Sequence, residues 1–317
     1  MSILIRKSGI LTTVQDLGRH GYRRFGINPS GCMDQVAARL VNVLLGNDDN
    51  AAVIEAHFPA PEIVFDADCI AAVGGAEFGP ELDGEPVENW RSFVAKKGSV
   101  LRFTAKIGGN RCYIAVQGGF EVDAWLGSSS TNLAAAIGGY NGRKLEIGDC
   151  IGVVNGHFDA RYSGRRIAPS VIPMYRPFPT VRVIPGAEFE FLDARGRDLL
   201  ECQDFSISNS SNRMGFRLSG KPINLSRNIE LVSAAVSFGT IQLLPDRQLI
   251  VLMADHQTTG GYPRIAHVIS RDLPLIAQLG ANDKVAFHLV DIAHAEDLAL
   301  EFEKELNFLR VAAKILK

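Results

Sequence analysis

The residues best suited to binding an amide lie in the stretch 254–269, which reads ADHQTTGGYPRIAHVI. An apolar run, LIVLM, ends almost directly in Asp255, and strand ends that open onto glycine-rich loops are common places for small-molecule sites. Asp255 can act as a base or accept a hydrogen bond from a substrate N–H, while Gln257 and Thr258 offer both donors and acceptors. These three are the candidate catalytic residues. The alternative interpretation is a purely structural turn, because Asp and Thr also cap helices. The candidate substrate-binding residues of the same loop are Gly260, Gly261 and Tyr262.

A second polar cluster lies in Gly9–Asp34, GILTTVQDLGRHGYRRFGINPSGCMD. Its five glycines predict several tight turns, and it carries more polar side chains than a simple β-hairpin requires. Two interpretations stay open, a hydrogen-bonded surface loop or a loop that binds an anion or a partner. The candidate binding residues are Thr12, Gln15, Asp16 and Arg19.

A run of small hydroxyl residues follows in LGSSSTNLAAAIGG, which starts at Leu126. Such a run can cap a helix, or it can present several backbone N–H groups to an anion. It is not a Walker A loop, because no G-K-S/T follows at the required spacing. The candidate anion-binding residues are Ser128, Ser129, Ser130, Thr131 and Asn132.

Two arginines four residues apart complete the set, in SSNRMGFRLSG. Arg213 and Arg217 are either surface charge or a carboxylate- or phosphate-binding pair, for which the guanidinium fork is well shaped. Arg213 is the candidate binding residue of the two. We expect the loop that follows Asp255 to face the loops 12–19 and 128–132 across one substrate site.

Short strands are predicted to position these loops. Alternating or apolar runs rich in Val, Ile and Phe stand between turn residues, as in barrels or sandwiches. The clearest runs are PEIVFDAD, CIAAVGG, GSVLRFTA, RCYIAVQGG, TVRVIPG, QLIVLMAD and DKVAFHLV.

Three segments have helical spacing. We predict helices over Asp34–Leu45, over HVISRDLPLIAQLG with a break at Pro274, and over about 292–316 at the end of the sequence.

Composition excludes several functions. The net charge is −2 and no long basic run occurs, which argues against a nucleic-acid partner. No apolar run is long enough for a signal peptide or a membrane span, so a cytoplasmic protein is expected. The five cysteines form no C-x-x-C pair and the seven histidines no ligand spacing, so free buried thiols and no metal site are expected.

A Pro- and Arg-rich stretch, GHFDARYSGRRIAPSVIPMYRPFPT, predicts a linker between two lobes, residues 1–165 and 178–317. Three pairs of segments suggest that the lobes share a topology. The pairs are SGCMDQVAARL with SSNRMGFRLSG, VGGAEFG with TTGGYPR, and KKGSVLRF with GANDKVAFHL.

Five segments of the sequence, taken in order, resemble one protein family. They are GILTTVQDLGRHGYRRFGINPSGCMD, LGSSSTNLAAAIGG, SSNRMGFRLSG, GTIQLLPDRQ and ADHQTTGGYPRIAHVI. The family is variously called biotin-dependent carboxyltransferase-like, allophanate hydrolase subunit two, or Kip-inhibitor antagonist. One departure is Arg247, which stands where the family usually has a turn glycine and leaves the geometry of that hairpin open.

The resemblance implies a mainly β fold with two cyclophilin-like β-barrel lobes, a few short helices and a C-terminal helix. It also implies a smaller Kip-inhibitor-like partner and, with a third LamB/YcsF-type subunit, an ATP-dependent 5-oxoprolinase that opens a lactam to glutamate. The alternatives are carboxyl transfer from biotin to urea, or a non-catalytic antagonist that binds a kinase inhibitor. Since the sequence has no biotin carboxylase portion and no A-M-K-M segment, the expected role is that of the C subunit of the oxoprolinase.

Overall fold

A computed structural model describes residues 1–154, 158–227 and 230–315. The chain folds into two compact units. Unit 1 comprises Met1–Arg19, Ser30–Met174 and the chain from Lys304 onward, and unit 2 comprises His20–Pro29 and Tyr175–Glu303. The main crossing from unit 1 to unit 2 falls inside the Pro- and Arg-rich stretch. Two segments differ from the predicted lobes. Residues 20–29, predicted in the first lobe, belong to unit 2, and the chain from residue 304 onward, predicted in the second lobe, belongs to unit 1.

Unit 1 holds two β-sheets, and its core is formed by their apolar side chains together with those of the loops. One sheet has the order β11-β12-β1-β4-β9-β6-β7 and the other β2-β3-β10-β5-β8. The strands are β1 Ser2–Lys7, β2 Thr12–Gln15, β3 Val53–Ala56, β4 Glu62–Phe65, β5 Cys69–Glu77, β6 Pro80–Leu82, β7 Glu85–Pro86, β8 Ser92–Ala95, β9 Val100–Phe103, β10 Gly108–Val116, β11 Phe120–Glu121 and β12 Cys150–Val153.

Helix α1, Gln35–Leu44, confirms the first helix prediction. The Asp34 side chain caps it by accepting a hydrogen bond from the N–H of Ala37 at 2.9 Å. Its apolar residues are buried, and the chain leaves it through Gly46, whose φ of 69° favours glycine.

Unit 2 is built on a closed barrel of the order β13-β20-β17-β18-β15-β14-β21. Only the pair β13–β21 is parallel among the described pairs of this barrel. A separate two-stranded ribbon pairs β16 with β19. The strands are β13 Thr180–Pro185, β14 Phe205–Ile207, β15 Gly215–Ser219, β16 Ala234–Ala235, β17 Thr240–Leu243, β18 Leu249–Leu252, β19 Thr259–Gly260, β20 Arg264–Val268 and β21 Lys284–Leu289.

The other helices are α2 Ala194–Cys202, α3 Leu273–Ala277 and α4 Ile292–Ile315. Asp291 begins α4 by accepting a hydrogen bond from the N–H of His294 at 2.7 Å, which confirms the predicted C-terminal helix. The chain is therefore mainly β with few helices, as predicted.

The prediction for the segment around Pro274 is wrong in two respects. His267 and Val268 belong to strand β20, and Pro274 lies in the first turn of the short helix α3, which begins at Leu273, instead of breaking a longer helix. Proline is tolerated there because the N–H groups of the first helical residues have no acceptor within the helix, so the missing N–H of proline breaks no helical hydrogen bond. The loop 255–263 leads directly into strand β20.

In the proposed internal repeat, the two segments of the first pair have different secondary structures. The segment MDQVAARL contributes to helix α1, whereas its counterpart RMGFRLSG contributes to strand β15. Only the third pair has the same local structure, a turn followed by strand β9 or β21. A topology shared by the two lobes stays a prediction.

Arg247 adopts the backbone conformation that a turn glycine would supply. Its φ is 64°, and the hairpin between β17 and β18 closes normally, with the N–H of Arg247 donating to the carbonyl of Leu244 at 2.9 Å. The departure from the family pattern therefore leaves the hairpin intact, although the backbone of Arg247 is in the left-handed region, which residues with a side chain rarely adopt.

Candidate functional site

The loop after strand β18 is held by backbone hydrogen bonds to the chain that precedes β15. The N–H of Met253 donates to the carbonyl of Met214 at 3.0 Å, and the N–H of Asp255 to that of Arg213 at 2.8 Å. These bonds extend the pairing of β15 with β18 beyond the strand ends, so Arg213 and Asp255 are brought side by side.

Asp255 and Arg213 form a buried ion pair. Arg213 Nε donates to Asp255 Oδ2 at 2.8 Å and Nη2 to Oδ1 at 3.3 Å, and the two side chains are 8% and 9% exposed. The side-chain amide of Asn28 donates to the Asp255 carbonyl at 3.0 Å. Two residues that the sequence assigned to substrate are therefore bound to each other.

His256 is buried beside this pair, and its Nδ1 donates a hydrogen bond to the carbonyl of Gln257 at 2.5 Å. Burial lowers the pKa of His256, and the nearby positive charge of Arg23 lowers it further. The following residues form a ribbon, in which Thr259 and Gly260 pair with Ala235 and Ala234.

Residues 257 and 262 form part of a pocket of about 220 Å³ on the outer wall of the barrel. Because side chains alternate along a strand, Arg217, Ile250 and Gln242 project outward from three neighbouring strands, and the register places them in one row. The pocket is lined by Ser210, Asn212, Met214, Gly215, Arg217, Gln242, Leu244, Ile250, Leu252, Gln257 and Tyr262.

Gln242 anchors the loop to this wall. It is 1% exposed, and its Nε2 donates to the carbonyl of Tyr262 at 3.1 Å. A Cβ on Gly260 would lie 2.8 Å from Nε2, so glycine lets the loop approach Gln242 closely. Sequence reasoning missed Gln242, although a polar residue inside the apolar run TIQLL was the signal that could have found it.

On its other side, the loop borders a larger groove of about 910 Å³. Gly261 and Tyr262 line it together with Asp193, Glu230 and Arg247. Tyr262 therefore separates two concave surfaces of unit 2, and it is 45% exposed. Thr258 is half-buried, and its carbonyl accepts a hydrogen bond from the N–H of Val236 at 3.2 Å.

In unit 1 the two predicted binding loops meet. The Asp16 carboxylate accepts hydrogen bonds from the hydroxyl of Ser128 at 2.7 Å, the N–H of Ser129 at 2.6 Å and the hydroxyl of Ser130 at 2.5 Å. It also accepts one from the N–H of Gly18 at 2.7 Å. The hydroxyl-rich run thus does form an anion cradle, and the anion in it is the side chain of Asp16.

The remaining predicted residues of unit 1 pack around this cradle and are buried. Arg19 donates to the carbonyl of Ser130 and stacks over Trp125 at 5.2 Å. The Gln15 amide donates to the carbonyl of Thr131 at 3.1 Å, and Thr131 Oγ1 donates to that of Val14 at 2.8 Å. Thr12 is buried in β2, and the side chain of Asn132 accepts from the N–H of Ala135 at 3.1 Å.

The predicted residues thus form two clusters, one in each unit. The expectation that the clusters face one another across a single substrate site stays a prediction.

Three further features concern the described residues as a whole. Their cysteines are all free, and Cys150 and Cys202 are exposed, so the prediction of buried thiols holds for the other three. No group of three or more His, Cys, Asp or Glu side chains that could hold a metal ion occurs in the described ranges. None of the helices described is both long and apolar enough to cross a membrane.

Known proteins resemble this chain along most of its length. The C subunit of the Haemophilus influenzae 5-oxoprolinase is 37% identical over 298 residues, which are 94% of each chain. That of Escherichia coli is 34% identical over 312 residues, or 98% of each. The structure of the K. lactis urea amidolyase superposes with a TM-score of 0.91 at 24% identity, covering 97% of this chain and 20% of the K. lactis chain, and so shares the fold.

A family model described as "Carboxyltransferase domain, subdomain A and B" matches residues 25–289. The match includes the barrel, the loop that follows Asp255 and the hydroxyl run of the Asp16 cradle. This chain therefore belongs to the family of carboxyltransferase domains with subdomains A and B.

Proposed function

We propose that this protein is the C subunit of a cytoplasmic, ATP-dependent 5-oxoprolinase. It acts with a smaller Kip-inhibitor-like subunit and a LamB/YcsF-type subunit, and the complex opens 5-oxoproline to glutamate while ATP is hydrolysed. The observation that carries the proposal is the identity of 34–37% to two proteins named as the C subunit of 5-oxoprolinase, over at least 94% of both chains.

The chain's own part in this reaction is to bind and orient the lactam. An amide is a poor electrophile, so it must be held by matched donors and acceptors while it is activated. The pocket beneath Tyr262 supplies such groups from Gln242, Gln257 and Arg217. The ion pair of Asp255 with Arg213 supports the loop that contributes Gln257 and Tyr262 to the lining of the pocket.

ATP fits this chain less well. The hydroxyl run at 128–130, one of the segments predicted to bind an anion, is filled by the carboxylate of Asp16. Since that carboxylate is held by hydrogen bonds from both loops, a triphosphate would have to displace it. We therefore propose that ATP binds to another subunit of the complex.

The second candidate function is carboxyl transfer to urea, favoured by the fold shared with the K. lactis urea amidolyase. Carboxybiotin would then supply the carboxyl group, and the same pocket would hold the urea amide.

Reconstitution separates these functions. We expect the chain alone to be inactive, and a mixture with its two partner subunits to release phosphate and glutamate only when 5-oxoproline is added. Turnover by the purified single chain would contradict the proposal. Binding of the small subunit without any 5-oxoproline-dependent hydrolysis would favour a non-catalytic antagonist, and urea-dependent consumption of carboxybiotin would favour the second candidate.

A further inference from the structure

We infer that the pocket beneath Tyr262 binds a small molecule that carries an N–H donor close to a carboxylate, with the N–H bonded to Gln242 Oε1 and the carboxylate to Arg217. This ligand class follows from the pocket alone. Its identification as 5-oxoproline rests on the proposed function.

The orientation of the Gln242 amide is fixed by its neighbour. The Tyr262 carbonyl can only accept a hydrogen bond, so the NH₂ group of Gln242 must face it, as the distance of 3.1 Å shows. The oxygen Oε1 then points elsewhere, and no donor among the described residues reaches it. An acceptor that is buried without a donor is costly, and Gln242 lines the pocket, so we assign the missing donor to an N–H of the bound ligand.

The opposite end of the pocket carries positive charge. Arg217 lies two strands from Gln242, with Ile250 between them in the same row, which sets their Cα atoms roughly 10 Å apart. Its backbone is bonded to Ser208 and Ser211, but no carboxylate in the described part of the chain pairs with its guanidinium. Arg213, the other arginine of the motif, is committed to Asp255.

The surface between these two groups is apolar. The apolar residues that line it are Ile250 and Leu252 of β18, together with Met214 and Leu244. Such a surface suits the methylene groups of a small ring. The volume of about 220 Å³ is below the roughly 300–1,000 Å³ of pockets for drug-sized ligands, so a small metabolite is the appropriate occupant.

The test uses the reconstituted complex and a matched pair of variants. Arg217→Leu removes the exposed guanidinium of the pocket, and the control Arg195→Leu removes another exposed arginine side chain, from helix α2 of the same unit. We expect Arg217→Leu to raise the KM for 5-oxoproline about 10- to 100-fold, the range for losing a charged hydrogen bond, and to leave kcat nearly unchanged. Arg195→Leu is expected to leave both unchanged.

Ligand variants test the two ends separately, without disturbing the buried Gln242. In competition with 5-oxoproline, its N-methyl derivative should bind at least about tenfold more weakly, because it has no N–H to donate. The lactam without a carboxylate, 2-pyrrolidinone, should bind the wild type and Arg217→Leu equally. An unchanged KM in Arg217→Leu, or equal binding of the N-methyl derivative, would overturn the inference while leaving the proposed function intact.

If the complex does not act on 5-oxoproline at all, the proposed function fails and the pocket is tested by calorimetry on the purified chain. Weaker binding of 5-oxoproline to Arg217→Leu than to Arg195→Leu then supports the inference. The same affinity for both variants, or no binding to the wild type, refutes it.

Discussion

Replacing Asp255 by Asn keeps the shape of the side chain but removes its charge. The partner, Arg213, is 8% exposed and cannot lose its proton, so the variant takes away the negative charge with which this buried guanidinium pairs at 2.8 Å. Breaking one side of such a pair destabilises a protein by about 3–5 kcal/mol. We therefore expect Asp255→Asn to weaken folding of unit 2 severely.

The matched control is Asp204→Asn. Asp204 pairs with Lys284 in the same unit at 3.2 Å, but both side chains are about half exposed, so a loss of at most about 1 kcal/mol is expected. A double variant, Arg213→Met with Asp255→Leu, should recover most of the stability, because replacing both partners of a buried pair by apolar residues is often neutral.

Unfolding should be followed by hydrogen exchange of peptides from unit 2. Both tryptophans, Trp90 and Trp125, belong to unit 1, so fluorescence would not report on the barrel. Equal protection of unit 2 in Asp255→Asn and Asp204→Asn would refute the reasoning. If the double variant folds but its complex no longer hydrolyses ATP with 5-oxoproline, the pair has a part in the reaction beyond support of the loop.

Three other changes are predicted from single features. Asp16→Asn should destabilise unit 1 by about 2–3 kcal/mol, because the donors of 128–130 would lose a charged acceptor, and unchanged chemical denaturation would contradict this. Arg247→Gly should raise the free energy of unfolding by about 0.5–1 kcal/mol, since φ is 64°; a lower denaturation midpoint would exclude strain there. Hydrogen bonds from Arg264 lower the pKa of Glu188, so the stability it adds is present above the unfolded pKa of about 4.3 and is lost as the pH falls through the folded value. Glu188→Gln should thus cost about 2 kcal/mol at pH 7, and the cost should shrink as the pH falls below about 4.3; a cost independent of pH would refute the linkage.

The strands could be predicted because their signal is local. All seven apolar runs chosen from the sequence form strands, and α1 and α4 follow from helical spacing and capping residues. The failures occur where tertiary contacts override a local pattern. The segment that leads into Pro274 has helical spacing, yet its first residues pair with β13 and β17 in the barrel.

The two residue clusters could also be predicted in outline, since polar side chains on glycine-rich loops are unusual beside apolar strands. The hydrogen-bond and charge partners of these side chains could not be predicted. Asp16 and Ser130 are 114 residues apart, and Arg213 and Asp255 are 42 apart, so no local pattern reveals that each binds the other. The sequence therefore assigned to a ligand several side chains that the fold uses for itself.

Charge that is already compensated is a poor guide to a binding site. Arg213 and Arg217 have the same chemistry and lie four residues apart, and Arg213 was the candidate binding residue predicted from the sequence. In the fold Arg213 is neutralised by Asp255, whereas Arg217 stands exposed at the edge of a pocket with no carboxylate beside it in the described chain. Gln242 gives the same argument for hydrogen bonding, because one end of its amide is bonded and the other is buried without a donor. We therefore expect a ligand to contact the polar groups that lack a hydrogen-bond or charge partner after folding, and not the groups that are most prominent in the motif.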